Sequence, residues 1–204
     1  MSFDDARWIR LIHHAARIFI ARGYEAASVD DIADAAGIGK ATVYRLVGGK
    51  GELLDAVMRH ATRHMLSACS LPLDPTRPAG EMLTAFATDY IDAMYRPFAG
   101  GLPFYHVARL MISTSFTRPD DMRAFIAAYA EGGVKPLTAY LAARADAGEL
   151  PAPVTEDDAQ TFFQLIFYTD RAIAFDEPAP SAHEVADMAQ RQVRRFLYGC
   201  VGPR

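Results

Sequence analysis

Apolar residues return every third or fourth position along most of this chain, and the period-two alternation of half-buried strands is missing. Ile9, Ile12, Ala16, Phe19 and Ile20 form a first stripe, with Gly23 as its stop and Tyr24 placed to fold back on the helix end. A short second stripe, Ile32, Ala33 and Ala36, follows Ser28 and stops at Gly37. Val43 and Val47 share one face of a third helix, running roughly from Lys40 to Leu46. After Gly48-Gly49, Lys50 starts a fourth helix striped by Leu53, Leu54, Val57, Met58, Ala61 and Met65.

Leu71 to Gly80 carries three prolines and reads as a loop and domain boundary. Beyond it, Met82, Phe86, Tyr90 and Met94 mark a helix that ends near Pro97 and Gly100-Gly101. Phe104 to Ile112 marks another. Pro119 opens a stretch with Met122, Phe125, Ile126 and Tyr129, which Gly132, Gly133 and Pro136 should kink or break before Leu137 to Ala147 resumes it, with Gly148 as its end. Thr155 with Asp158, and Ser181 with Glu184, are two further start signals, separated by Pro178-Ala-Pro180. The expected fold is all-α, without repeats or low-complexity tracts.

One segment has a more specific layout. In Ser28–Lys50, SVDDIADAAGIGKATVYRLVGGK, two short helices flank a glycine turn. Ser28 and Asp31 stand at the spacing that satisfies the orphan amides of a helix start. The small face of Ile32, Ala33 and Ala36 admits a close neighbour, and Ile38 plugs the turn. Lys40, Ala41, Thr42, Tyr44 and Arg45 are left for the outer face of the second helix. Two of the chain's three lysines, Lys40 and Lys50, lie here, and Gly37–Lys50 holds three cations and no acid. That is the layout of a helix-turn-helix, whose second helix enters the major groove of duplex DNA.

The segment from about Ile9 to Val57 resembles the DNA-binding domain of the TetR family of tetracycline-repressor-like regulators. The resemblance rests on ARIFIARGYEAASV, DIADAAGIGKATVYRLV and GGKGELLDAV, about a quarter of the chain. It implies an all-helical homodimer whose N-terminal three-helix reading head precedes a larger ligand-binding and dimerisation domain. The head would take residues 1–50 and the body 51–204, with 51–66 as the linking helix. By the same resemblance Ser28, Thr42, Tyr44 and Lys50 would grip phosphates, while Lys40, Ala41 and Arg45 would face base edges. Gly39, Leu46 and Gly49 depart from the family pattern, which has serine, an aromatic and a polar residue there.

Charge sharpens this reading. The chain of 204 residues is about half apolar, with net charge −4. Residues 1–65 hold nine Lys/Arg and eight Asp/Glu; the remainder holds twelve and seventeen. An acidic body suppresses non-specific association with DNA and confines attraction to the head. Cys69 and Cys200 are isolated and lack metal-ligand spacing, so neither a disulfide nor a metal is expected, although Cys200 near the C-terminus could serve a redox role. The N-terminus is not a secretory signal, and no apolar run has the length of a membrane span. The expected location is the cytoplasm.

Two further features concern the body. Phe86, Tyr90, Met94, Tyr105, Met111, Phe125, Tyr129, Phe163 and Phe167 either fill the core or line an apolar pocket for a small hydrophobic or amphipathic effector. Asp170-Arg171 either contacts that ligand or forms an interface or core ion pair. TFFQLIFYTDRAIAF, apolar on nearly all sides, and the stripe Val185, Met188, Ala189, Val193 and Phe196 either complete a core within one chain or, the preferred reading, pair with their copies so that the last two helices form a homodimer. No phosphate-cradling glycine loop, nucleophile elbow or zinc-protease helix is present, so no catalytic residue and no cofactor is assigned. His13-His14 are adjacent and cannot chelate easily. His60 and His64 stand four apart, but with no third ligand nearby they read as a solvated or linker-contacting face. The sequence therefore points to a ligand-responsive repressor on a near-palindromic operator. The alternatives are a DNA-binding regulator without a small-molecule effector, or a helical enzyme with a vestigial DNA-binding head.

Overall fold

In the computed structural model, residues 6–68, 73–99, 101–167 and 178–199 are described. They are helical almost throughout: α1 (Ala6–Arg22), α2 (Val29–Ala36), α3 (Lys40–Val47), α4 (Lys50–Ala68), α5 (Ala79–Tyr95), α6 (Tyr105–Thr114), α7 (Pro119–Tyr129), α8 (Lys135–Asp146), α9 (Glu156–Ile166) and α10 (Ala182–Tyr198). The chain forms two compact units. One joins residues up to His64 with Arg96–Ile126; the other joins Met65–Tyr95 with residues from Ala127 onward.

The first unit is built on α1. Leu11, Ile12, Ala15, Ala16 and Phe19 have no solvent exposure and lie at helical spacing, so α1 presents one dry stripe to its neighbours. Gly23, at φ 79, returns its amide to the Phe19 carbonyl and ends the helix. Tyr24 folds back as the sequence suggests, its ring 5.7 Å from that of Phe19. α4 contributes Leu53, Leu54, Val57, Met58 and Ala61 to the same core. Between α5 and α6 the structure adds an element the periodicity did not announce, a small antiparallel hairpin of β1 (Pro97–Ala99) and β2 (Leu102–Pro103). Pro97 cannot continue a helix, Gly101 takes φ 91 at the reversal, and buried Phe98 anchors the first strand.

Phe98 also changes the reading of the histidines. The rings of His13, His60 and His64 stand 5.9, 5.5 and 5.3 Å from its ring, and His13 lies 5.7 Å from His60. The histidine face of α4 is therefore half-buried against an aromatic ring rather than solvated. Three imidazoles converge on a phenyl group, and among the described residues no group of three or more His, Cys, Asp or Glu is arranged to hold a metal ion. Burial, then the nearby His64 and His14, lowers the pKa of His13; burial, then Arg96, lowers that of His64. Burial, followed by His13, Arg63 and His64, brings His60 down to about 4.

The second unit is organised by α5. Its face of Met82, Leu83, Phe86, Ala87, Tyr90, Ile91 and Met94 is buried, and α10 lies along it through Val185, Met188, Ala189 and Val193. The stripe expected at a dimer seam is thus already covered within one chain, because α5 offers a matching apolar face. α9 buries Ala159, Phe162, Phe163 and Ile166 along one side only. The rest of the all-round apolar run, with Tyr168, Thr169, Asp170 and Arg171, lies outside the described residues, as do Cys69 and Cys200. Both start signals form: Asp158 accepts from the Thr155 amide at 2.8 Å, and Glu184 accepts from the Ser181 amide at 2.8 Å. Loop ends are tied by Ala79 donating to Glu149 (2.7 Å) and Tyr140 to the Arg77 carbonyl (3.1 Å).

The expected break at Gly132, Gly133 and Pro136 takes another form. Ala130–Val134 is a π-helical turn that joins α7 to α8 without leaving the helix. The proline ring would collide with the carbonyl four residues back, and a wider turn removes that collision. The two glycines leave room for neighbours: a Cβ at 132 would lie 2.7 Å from Leu66, and one at 133 would lie 3.2 Å from the Phe163 ring.

The histidine cluster predicts a pH dependence. The unfolded chain takes up a proton at His60 near pH 6.5, which the folded chain refuses until about pH 4. Stability from this source is complete above pH 6.5 and declines as pH falls toward 4. Thermal midpoints measured across that window should drop, and the drop should shrink in His60→Gln. An equal slope in the variant would place the titration elsewhere.

Candidate nucleic-acid interface

The turn between α2 and α3 sets the geometry of the candidate interface. Ser28 caps α2, its Oγ accepting from the Asp31 amide at 3.1 Å and donating to the Asp31 carboxylate at 2.8 Å. Asp31 also pairs with Arg22 at 2.7 Å. Gly37 takes φ 65 and ψ 37, and its amide reaches the Asp34 carbonyl at 3.1 Å while Ile38 donates to Ala33 at 3.0 Å. This left-handed cap ends α2 and redirects the chain at once. Gly39 then opens α3 with no side-chain cap, its carbonyl accepting from Thr42 and Val43.

On α3 only Val43 is fully buried. Lys40, Ala41, Tyr44 and Arg45 are exposed, and Thr42, Leu46 and Val47 are half-buried. Positions 40, 41, 44 and 45 lie on one side of a helix, so α3 is seated by Val43 with Leu46 and Val47 half-buried and shows an outer face carrying Lys40, Tyr44 and Arg45. Eight residues at 1.5 Å each make a rod about 12 Å long, comparable to the width of a major groove. Arg45 forms no ion pair among the described residues. Lys40 does: Asp30 at the start of α2 approaches within 2.7 Å, and this hydrogen bond and charge raise the lysine pKa. Sequence reading missed that pair, which lies ten residues apart and had counted Lys40 among unopposed cations. Lys50, at the first turn of α4, donates to the Glu25 carbonyl at 2.9 Å and sits 4.6 Å from the centre of the Tyr24 ring. The cations at 40 and 50 are therefore held in place rather than sweeping through solvent.

The profile described as "Bacterial regulatory proteins, tetR family" matches residues 11–57. That of the "AefR-like transcriptional repressor, C-terminal domain" matches residues 81–199, more than half of the chain. The chain belongs to the TetR family. The family is one of bacterial transcriptional regulators. It is 33% identical over 88 residues to the HTH-type transcriptional activator FasR of Mycolicibacterium smegmatis, a match covering 43% of this chain and 40% of that protein. The chain thus spans well under two thirds of that relative's length. Its fold is that of the fatty acid degradation regulator FadR of Bacillus halodurans (TM-score 0.74, 14% identity, 98% of this chain and 99% of that one). FadR of Bacillus subtilis, solved with stearoyl-CoA, is similar in the same sense (TM-score 0.71, 14% identity, 95% and 100%). Among the described residues no helix of this TetR-family chain is long and apolar enough to cross a membrane.

The aromatic residues of the body divide between the two units. In the second, Phe163 meets Phe86, Tyr90 and Tyr129 at 5.7, 5.6 and 4.9 Å between ring centres, and the hydroxyls of Tyr90 and Tyr129 are 3.2 Å apart. Met94 is buried in α5, and Phe167 is exposed at the end of α9. In the first unit, Met111 and Phe125 line a small cleft with room for about one water molecule, together with Met58, Thr114, Arg118, Asp121 and Met122, while Tyr105 stacks on His106 at 4.5 Å.

The left-handed turn makes a stability prediction. Gly37→Ala places a Cβ in open space but on a backbone conformation that L-residues disfavour, and should destabilise the protein by about 1–2 kcal/mol in chemical denaturation. No loss of stability would mean that the turn relaxes out of that conformation.

Proposed function

We propose that this chain is a homodimeric repressor in which α3 reads the major groove of a near-palindromic operator and a small hydrophobic or amphipathic effector releases it. The observation that carries this reading is the exposed side of α3, with Lys40, Ala41, Tyr44 and Arg45 on a helix whose fully buried residue is Val43. In this reading Lys40, Ala41 and Arg45 face base edges, and Ser28, Thr42, Tyr44 and Lys50 hold phosphates. Lys40 exchanges Asp30 for its DNA partner. One short helix gives too little affinity by itself, so two copies bind half-sites spaced by about 34–36 Å or a multiple of it. The copies meet through α9 and α10, on the faces that α5 leaves open, where Phe167 and Tyr198 are exposed. The protein acts by binding rather than turnover, in the cytoplasm where its operator lies, with residues 1–50 as head and 51–204 as body.

The effector would enter among Phe86, Tyr90, Met94, Tyr129, Phe163 and Phe167, or among Tyr105, Met111 and Phe125. An acyl thioester is the first class to test, given the stearoyl-CoA held by a regulator of the same fold. The close ring packing around Phe163 favours the other reading, a regulator without a small-molecule effector.

Selection of bound fragments from random duplex DNA by the full chain should return paired half-sites. Arg45→Ala should then relax base preference at one position per half-site and weaken the operator by about 1–3 kcal/mol. Lys50→Ala should weaken all sequences alike and reduce the salt slope by about one. A changed base profile in Lys50→Ala would contradict a phosphate role. For the effector, linkage requires reciprocity: operator DNA should weaken acyl-thioester binding by the factor by which the thioester weakens DNA, typically about 1–3 kcal/mol. Equal affinity for free and DNA-bound protein, read by calorimetry, would leave the effector-free reading.

A further inference from the structure

Resting on the proposed role of the head, we infer that Arg118 is the positioning residue that holds the start of α4, and with it Lys50, in the seat required for operator binding. Arg118 lies just ahead of α7, and its guanidinium gathers partners from distant parts of the first unit. Its Nε donates to Asp121. One Nη donates to Asp55 at 2.7 Å and to the Gly51 carbonyl at 3.4 Å, and the other donates to the Tyr24 hydroxyl at 3.3 Å. The guanidinium carbon also stands 5.4 Å from the centre of the Tyr24 ring, the same ring that supports Lys50. A single planar cation therefore ties the α1–α2 connection to the first turns of α4. A lysine could not reproduce this fork.

Two observations show that the local structure is arranged around that guanidinium. Gly51 is the second residue of α4, and a Cβ there would stand 2.7 Å from Arg118 Nη1. Asp55 and Asp121 are two partly buried carboxylates drawn to one cation, and burial together with Asp121 pushes the pKa of Asp55 upward. Without Arg118 they would repel each other or share a proton, and the start of α4 would lose its tether. Lys50 and the Gly48-Gly49 turn that ends α3 would shift with it.

The test uses the full chain and the operator recovered by selection. Affinity is measured for that operator, for versions with the half-sites moved by one base pair, and for non-specific duplex. Arg118→Ala should weaken the operator by about tenfold and reduce discrimination against shifted spacing by a similar factor. Affinity for non-specific duplex should fall no further than it does in Lys50→Ala, while spacing discrimination, which Lys50→Ala keeps, is lost; loss of folded protein does not produce that split. Arg118→Lys should behave like the alanine variant. Gly51→Ala should reproduce the loss alone and add nothing in the Arg118→Ala background, since the atom it collides with is then gone. Unchanged spacing discrimination in Gly51→Ala and Arg118→Lys, or losses that multiply in the double variant, would overturn the inference while leaving the DNA reading intact. Should Arg118→Ala fail to fold by circular dichroism, those two variants decide. Failure of the wild-type protein to select any sequence sinks the DNA reading itself, and this inference with it.

Discussion

The left-handed turn at Gly37 is the constraint on which the reading head depends. It ends α2, redirects the chain within two residues, and seats α3 on buried Val43 with Leu46 and Val47 half-buried. A longer or looser connection would allow α3 to bury more of its surface. Lys40 and Arg45 would then be drawn toward solvent-poor positions, where buried cations are costly. The short turn keeps them outside. The exposed face follows from where the apolar residues fall on α3, with Val43, Leu46 and Val47 turned from the side that carries Lys40, Tyr44 and Arg45.

Much of this was legible in the chain because it is local. Ser28 with Asp31, Gly37 with Ile38, and Val43 with the polar positions around it all act within one or two helical turns, where spacing determines contact. The same holds for the capping pairs at Thr155 and Ser181. Helix boundaries followed from Gly23, Pro97 and Gly148 for the same reason. Sequence patterns lost their power where partners are far apart. Arg118 and Tyr24 are separated by 94 positions, and nothing in either neighbourhood names the other. His13 and Phe98 meet through a hairpin too short to show alternation. One signal was available and unused: a glycine at position 51, just inside a helix, marks a place where another group comes close.

The aromatic residues of the body teach a related lesson. Their periodicity correctly marks buried faces, as Phe86, Tyr90, Met94 and Phe163 show. Periodicity does not say which buried rings touch. Phe163 gathers Phe86, Tyr90 and Tyr129, while Met111 and Phe125 belong to the unit that also contains the head. The same uncertainty affected α10, whose apolar stripe suits a partner chain and suits α5 of its own chain equally well. Hydrophobic matching is not directional, so a stripe specifies burial and leaves the choice of cover to topology.

The wide turn at Ala130–Val134 has a consequence for the helix that follows it. Accommodating one extra residue in a turn rotates every later side chain by about 100° relative to an uninterrupted α-helix. Leu137, Tyr140 and Leu141 owe their inward direction to that offset. A chain lacking one residue in this segment could restore ordinary winding with those three still inward, whereas straightening the turn at full length would swing them outward. Length and winding are therefore coupled here: the extra residue and the wide turn offset each other, and losing only one of the two would act like several simultaneous core substitutions.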